Sequence, residues 1–331
     1  MEYKLLGKTG LSISNISFGT MTFGNESDKK ESLNMFSLAK EHGVNLFDCA
    51  NKYSNGEAEI ILGECIKNCR DEVIITSKAG SRTNSNVNDI GTSRKHLMLE
   101  LEKSLKRLNT SYIDIYFLHY FDPDTDIEQS LRFLDDAKKQ GKILYFGVSN
   151  WAAWQIMKSI HISKINLLAS IDCIQPMYSL IKRQVEVEIL PLAKDQNLGV
   201  ISYSPIASGV LTGKYQQTNA QIQNSRLNEK EYYNQRYTHD IYKNTAKSFY
   251  DFSKNNGYNP AALAIKWANS HNDITSCIVG ARDIKQLQSN LQALNINMTK
   301  ELRDTITSFS FEPFPAHDRL EENIDINNKL R

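Results

Sequence analysis

Short apolar runs alternate along this chain with longer segments in which apolar residues return every three or four positions. The runs Ile16–Gly19, Val44–Phe47, Val73–Ser77, Ile113–Leu118, Leu144–Val148, Cys173–Pro176, Val200–Tyr203 and Ser276–Val279 read as strands. Between them, Ser93–Leu108 carries Leu97, Leu101, Leu105 and Leu108 at helical spacing, with Lys95, Glu102, Lys103 and Lys106 on the other positions. Gly141 after Gln140 and Gly199 after Asn197 predict helix C-caps, and Asn259-Pro260 predicts an N-cap and first helical position. Eight strands with helices between them imply parallel pairing, in a closed barrel or a doubly wound sheet.

Polar residues at the ends of these runs favour the barrel. Thr20, Asp48, Lys78, His119, Ser149, Asn150, Gln175, Ser204 and Arg282 end or follow successive strands. In a (β/α)8 barrel those ends ring one mouth, where active sites lie, whereas a doubly wound sheet uses one switch point and fewer ends. The expected architecture is therefore an α/β TIM barrel, one domain over residues 1–331. Two long polar connections, Ala207–Asp240 and the tail Phe311–Arg331, are expected over or near the mouth.

Composition narrows the partners. With 39 basic and 38 acidic residues the formal net charge is +1, which gives no electrostatic reason to expect nucleic acid or an anionic membrane. The start, MEYKLLGKTGLSIS, lacks a signal-peptide apolar region, and no run reaches the roughly 18 apolar residues of a membrane span. Cys49, Cys65, Cys69, Cys173 and Cys277 form no regular framework, and no His or Cys pair stands near Cys65 and Cys69 to complete a metal site. Reduced thiols in a cytoplasmic protein are expected. Oligomeric state has no signature in the sequence.

No G-x-G-x-x-G run occurs, which argues against a Rossmann dinucleotide site. Ser208–Tyr215 (SGVLTGKY) resembles a phosphate loop, but its glycines stand one residue too close and a tyrosine replaces the metal-binding hydroxyl residue. Lys214 remains available to a phosphate.

The candidate chemistry lies at the second, third and fourth strand ends. The second gives Asp48, with Tyr53 in the following loop, the third gives Lys78, and the fourth gives His119. Parallel adjacent strands bring these groups to one mouth. A free phenol ionises at about 10 and donates its proton poorly near neutrality. A buried ammonium beside it favours the phenolate, and a carboxylate beside the ammonium keeps that amine charged. Such a phenol suits proton transfer to a carbonyl oxygen that becomes an alkoxide, with hydride delivered to the carbon by a nicotinamide or flavin. Each residue has a plainer alternative: Asp48 as a loop cap, Tyr53 as an exposed loop residue, Lys78 as a solvated strand end, His119 as a core histidine. Their joint placement at consecutive strand ends carries the argument.

These residues sit in motifs that resemble the aldo-keto reductase family, in its bacterial and potassium-channel beta-subunit-like branch. FDCANKYSNGEAEIILGE, IITSKAG, DIYFLHYFD, GKILYFGVSN, IQPMYSLI, ISYSPIASGVLTGKY and IVGARDIKQLQSNL match family motifs in order, and the similarity runs from about Tyr3 to Asn290. The resemblance implies a barrel that binds NADP(H) without a Rossmann domain, with Tyr53 as general acid, Lys78 and Asp48 tuning it, and His119 orienting the substrate oxygen. It implies nicotinamide contacts from Gly19, Thr20, Met21, Asp48, Ser149, Asn150 and Gln175, with Tyr203 stacked on the ring. Ser204, Pro205, Ile206, Ser208, Gly209, Leu211 and Lys214 match the pyrophosphate clamp. Gly280, Arg282, Gln286, Ser289 and Asn290 match the adenosine end; in the channel subunits a glutamate stands at the Ser289 position. Arg226 falls where that branch has an arginine near the cofactor. Because a 2′-phosphate suits the planar fork of arginine, Arg282 and Lys214, with Arg226, favour NADP(H) over NAD(H).

The expected function is reduction of an aldehyde or ketone by NADPH. The alternatives are an NADP(H)-binding redox sensor or regulatory subunit, and a sugar or polyol dehydrogenase running the same site backwards. His119 is the enzyme-type residue where the channel-associated relatives have asparagine. Phe23, Tyr120, Phe121, Trp151 and Met177 are expected to shape the small-molecule pocket.

Overall fold

Side chains of a strand alternate between its two faces, so in a closed barrel every second residue points at the axis. An antiparallel hairpin, β1 (Tyr3–Leu5) and β2 (Ser12–Ser14), precedes the barrel strands β3 (Ile16–Gly19), β4 (Leu46–Asp48), β5 (Ile74–Ala79) and β6 (Ile113–Leu118). The remaining strands are β7 (Ile143–Ser149), β8 (Cys173–Gln175), β9 (Gly199–Tyr203) and β10 (Ser276–Gly280). The structure, a computed structural model, describes residues 1–216 and 231–318. In it β3 to β10 pair in chain order, all parallel, and β10 returns to β3 to close a (β/α)8 barrel.

One parity of these strands fills the barrel. Leu46, Ile74, Ile115, Phe117, Cys173, Ile201 and Ile278 pack there, joined by Leu6 and Ile13 from the hairpin. The other parity, including Phe47, Ile75, Tyr116, Phe146, Ile174 and Cys277, packs outward beneath the helices. Helices α1 (Lys29–Glu41), α2 (Glu57–Ile66), α3 (Arg94–Leu108), α4 (Ile127–Lys139), α5 (Ala153–Ile165) and α6 (Ile189–Asp195) follow the first six barrel strands in turn. Asp240–Asn255 and Pro260–Asn269 lead into β10, and Ile284–Leu291 and Lys300–Thr307 follow it. Among the described residues no helix is long and apolar enough to cross a membrane.

The eight strands stand where the apolar runs predict them, with ends shifted by one or two residues. Ser93 caps α3 by accepting from the His96 amide, and Asn259 caps the helix that Pro260 begins. Gly141 follows α4 in the left-handed region, at φ +70°. Gly199 is a different case and corrects the expectation of a cap there. Asn197 takes the left-handed turn after α6, at φ +54°, and Gly199 opens β9. Its lack of a side chain serves packing, since a Cβ there would collide with a methyl of Leu6, one of the hairpin residues that fill the barrel. The hairpin strands are only three residues long, too short to alternate legibly.

Candidate active site

Parity carries the candidate catalytic groups inward. On β4 the inward residues are Leu46 and then Asp48; on β5 they are Ile74, Thr76 and Lys78; after Ile115 and Phe117 on β6 comes His119. Apolar side chains occupy the barrel interior, and polar ones take over only at the C-terminal end. Register sets the neighbours: Asp48 lies opposite Thr76, and Lys78 opposite Phe117.

Lys78 is fully buried and Asp48 nearly so, and their ion pair spans 2.7 Å. The Lys78 Nζ donates to both Asp48 carboxylate oxygens, at 2.8 and 2.7 Å, and to the Cys49 carbonyl at 2.7 Å. Asp48 Oδ1 also accepts from Thr76 Oγ1 at 2.6 Å and Gln175 Nε2 at 2.8 Å. Two charges can persist in a dry interior when each is paired and its remaining hydrogen-bonding capacity is met. The ammonium also stands 5.1 Å from the centre of the Tyr53 ring.

The Tyr53 loop is a strained turn. Ser54, Asn55 and Gly56 follow the tyrosine with φ of +48°, +54° and +98°. Two non-glycine residues in that region cost about 1–2 kcal/mol each, so the surroundings must hold the turn. Ser54 Oγ donates to the Phe23 carbonyl at 2.6 Å, and the Asn51 amide donates to the Lys78 carbonyl at 3.1 Å. Beyond the turn, Glu59 on α2 is fully buried, accepting from Ser77 Oγ at 2.5 Å and from Arg107 Nε at 2.7 Å. The loop is thereby tied to β5 and α3 on both sides.

His119 lies edge-on to Tyr53, ring centres 6.1 Å apart, and stacks on Tyr120 at 4.7 Å. Burial, aided by the charges of Lys78 and Lys52, pushes its pKa down to about 3, so the imidazole is neutral at physiological pH. Its Nδ1 is buried without a hydrogen-bond partner among the described residues, which leaves Nε2 as the nitrogen through which the ring can meet a ligand.

A cleft of about 1090 Å³ opens over these groups and extends across the mouth toward β9 and β10. Asp48, Tyr53, His119, Ser149, Asn150, Gln175 and Tyr203 line one part. Asn150 ties three strand ends together: its Nδ2 donates to the His119 carbonyl and to Ser149 Oγ, both at 3.0 Å, and its Oδ1 accepts from Tyr203 at 2.6 Å. Ser204, Pro205, Ile206, Ser208, Gly209 and Lys214 form the next stretch, and Gly280, Arg282, Gln286, Ser289 and Asn290 the far end.

The far stretch has the form an extended anionic ligand requires. Ser204, Ala207, Ser208 and Gly209 all have left-handed backbone, at φ +61°, +50°, +57° and +91°, a conformation that gathers successive amides into an anion-binding concavity. Gly19 and Gly280 sit side by side in register, and a Cβ on Gly280 would meet nothing nearer than 3.8 Å, so the strand ends present a flat slot. Cationic Lys214, Arg282 and Lys285 stand along it. Asn290 fixes the slot by donating to the Gly280 carbonyl, and Gln286 accepts from the Arg282 amide. These residues fit a dinucleotide lying across the mouth.

Several sequence expectations land elsewhere. Thr20 and Leu211 are fully buried behind the cleft wall, Thr20 donating to the Asp48 carbonyl at 3.0 Å. Of the expected pocket residues Tyr120 lines the cleft, as does Met21, expected as a nicotinamide contact. Phe23 does not: its ring is fully buried against Phe18, and its backbone carbonyl accepts from Ser54 Oγ. Phe121 and Trp151 pack edge-to-face on each other at 5.1 Å, outside the described cleft wall, and Met177 bridges to Tyr203. Arg226 lies outside the described residues. Of the two long segments, Ser208–Tyr215 contributes to the cleft wall and residues 311–318 do not. Lys52, Arg236 and Lys285 are cleft residues that the sequence motifs did not mark; a charged residue in a polar loop carries no pattern that separates it from a solvated one.

Comparison with known proteins agrees with this geometry. Over 305 residues the chain is 36% identical to a protein of Arabidopsis thaliana named as a probable voltage-gated potassium channel subunit beta, covering 89% of this chain and 92% of that one. A protein of the same description from Oryza sativa subsp. japonica is 36% identical over 328 residues, 92% and 95% of the two chains. An uncharacterized oxidoreductase, YrpG, of Bacillus subtilis (strain 168) is 32% identical over 316 residues, 91% and 94% of the two chains. Residues 15–310 match the model of the aldo/keto reductase family, and the chain therefore belongs to that family of oxidoreductases.

Proposed function

We propose that this protein reduces an aldehyde or ketone to an alcohol, with NADP(H) as its cofactor and Tyr53 as the proton donor. The observation that carries the proposal is the buried Lys78–Asp48 pair set 5.1 Å from the Tyr53 ring, with neutral His119 on its other side. A nicotinamide bound across the mouth would supply the hydride. Residues of this chain do the rest. Tyr53 delivers a proton to the developing alkoxide, and the adjacent ammonium stabilises the phenolate left behind. His119, neutral, orients the carbonyl oxygen by a hydrogen bond without competing for the proton. Asp48 keeps Lys78 charged and in place.

NADP(H) is preferred over NAD(H) because Arg282, Lys285 and Lys214 concentrate positive charge along the far end of the cleft, which suits a 2′-phosphate. A screen of NADPH oxidation over aldehydes, ketones, pyridoxal and keto-sugars, paired with a nicotinamide fluorescence titration, tests the proposal. Turnover of at least one carbonyl class is expected; tight NADPH binding with no turnover across the panel would overturn it.

That negative outcome would support a second reading, a cofactor-holding sensor or regulatory subunit, which the similarity to the two plant proteins favours. A third reading is oxidation of a sugar or polyol alcohol through the same groups run in reverse, and NADP+ reduction by an alcohol panel separates it from the first.

A further inference from the structure

The substrate side of the cleft carries a cation that the proton-transfer groups do not use. Lys52 immediately precedes Tyr53, lies exposed, and lines the cleft beside Tyr53, Ser54, His119 and Tyr120. Its backbone is fixed by the strained turn it introduces, for the Asn55 amide donates to the Lys52 carbonyl at 3.1 Å. Its ammonium is near enough to help hold His119 neutral. Every other charged group of the cleft has another place. Asp48 is held by Lys78, while Lys285, Asp283 and Arg282 belong to the β10 end. Glu26 sits on the loop that Ser27 ties to the Arg282 carbonyl at 2.7 Å, again on the dinucleotide side, and Lys214 and Arg236 come from the chain after β9. Among the described residues no carboxylate forms an ion pair with Lys52. A carbonyl compound seated with its oxygen between Tyr53 and His119 therefore shares its stretch of cleft wall with the positive charge of Lys52.

We infer that Lys52 selects carbonyl substrates bearing an anionic group, such as a carboxylate, a short distance from the reacting carbon. The inference rests on the reductase reading above and names the class of substrate for that site. The group acts by attraction in the bound state and takes no part in proton transfer, so its effect falls on KM, and salt weakens it because the side chain is exposed.

The test compares 4-formylbenzoate with its neutral counterpart 4-formylbenzamide, which keeps the ring and the aldehyde. For the wild-type chain kcat/KM should favour the carboxylate, and the preference should shrink as ionic strength rises. Lys52→Met should lower that preference by about five- to tenfold through KM, Lys52→Glu should invert it, and Lys52→Arg should restore it. Equilibrium binding of the alcohol product 4-(hydroxymethyl)benzoate, followed by isothermal titration calorimetry, should weaken in Lys52→Met in parallel. Turnover of both aldehydes with an unshifted ratio in Lys52→Met and Lys52→Glu would overturn this inference and leave the reductase reading standing. Turnover of neither aldehyde, nor of any other carbonyl, by the wild-type chain would overturn both.

Discussion

Lys78 Nζ donates to both carboxylate oxygens of Asp48, at 2.8 and 2.7 Å, and neither side chain has appreciable contact with solvent. An ion pair so placed is costly to break from one side, because the partner left behind is a buried charge without a counter-ion. Lys78→Met should destabilise the protein by about 3–5 kcal/mol, and adding Asp48→Asn should cost much less than the sum of the two single changes. Urea denaturation of the four proteins in the cycle measures this coupling. Strict additivity would mean that the pair does not hold the site together.

His119 gives a prediction of opposite electrostatic character. In the unfolded chain its imidazole takes a proton near the ordinary value of about 6.5, whereas in the fold burial delays protonation to about 3. Between those values the unfolded state binds the extra proton, so stability falls as pH is lowered through this window and is whole above it. His119→Asn should flatten that part of the stability profile measured between pH 4 and 8. Correspondingly, kcat should show no inflection near pH 6.5 that His119→Asn removes.

Gly56 tests whether the turn after Tyr53 is positional. It sits at φ +98°, and an added Cβ would lie 2.9 Å from Arg107 Cδ, in the side chain that pairs with buried Glu59. Gly56→Ala should destabilise the protein by about 1–2 kcal/mol and lower kcat while leaving NADPH affinity near its original value. Denaturation midpoints, turnover and a fluorescence titration together check the three parts of that expectation.

At the other end of the cleft, Arg282 lines the wall beside Lys285 and Gln286, where the proposal sets the 2′-phosphate. Arg282→Ala should raise KM for NADPH at least about tenfold more than KM for NADH, the loss expected for a charge-assisted contact. Equal effects on both cofactors would place the arginine at a phosphate they share.

Much of this site could be read from the chain, for a physical reason. Parallel strands in a barrel present their C-terminal ends to one mouth, so a polar residue that ends an apolar run declares its position without any knowledge of the loops. Asp48, Lys78, His119 and Gln175 were legible in that way. Side chains whose role depends on packing were not. Phe23 looks like a pocket aromatic but is buried, and Gly199 looks like a helix cap but makes room for Leu6. Thr76 as a third support of Asp48 required the strand register, and Lys52 as a cleft cation required the turn geometry. Neither is encoded in a local pattern.

The most direct test of the account is Tyr53→Phe, which removes one oxygen and leaves the ring, the Lys78–Asp48 pair and the dinucleotide groove in place. Turnover of the best carbonyl substrate should fall by at least about a thousandfold, the range lost with an essential acid, while fluorescence titration shows NADPH bound as before. Retained turnover in that variant would contradict the assignment of the proton to Tyr53, and with it the purpose assigned to the buried pair.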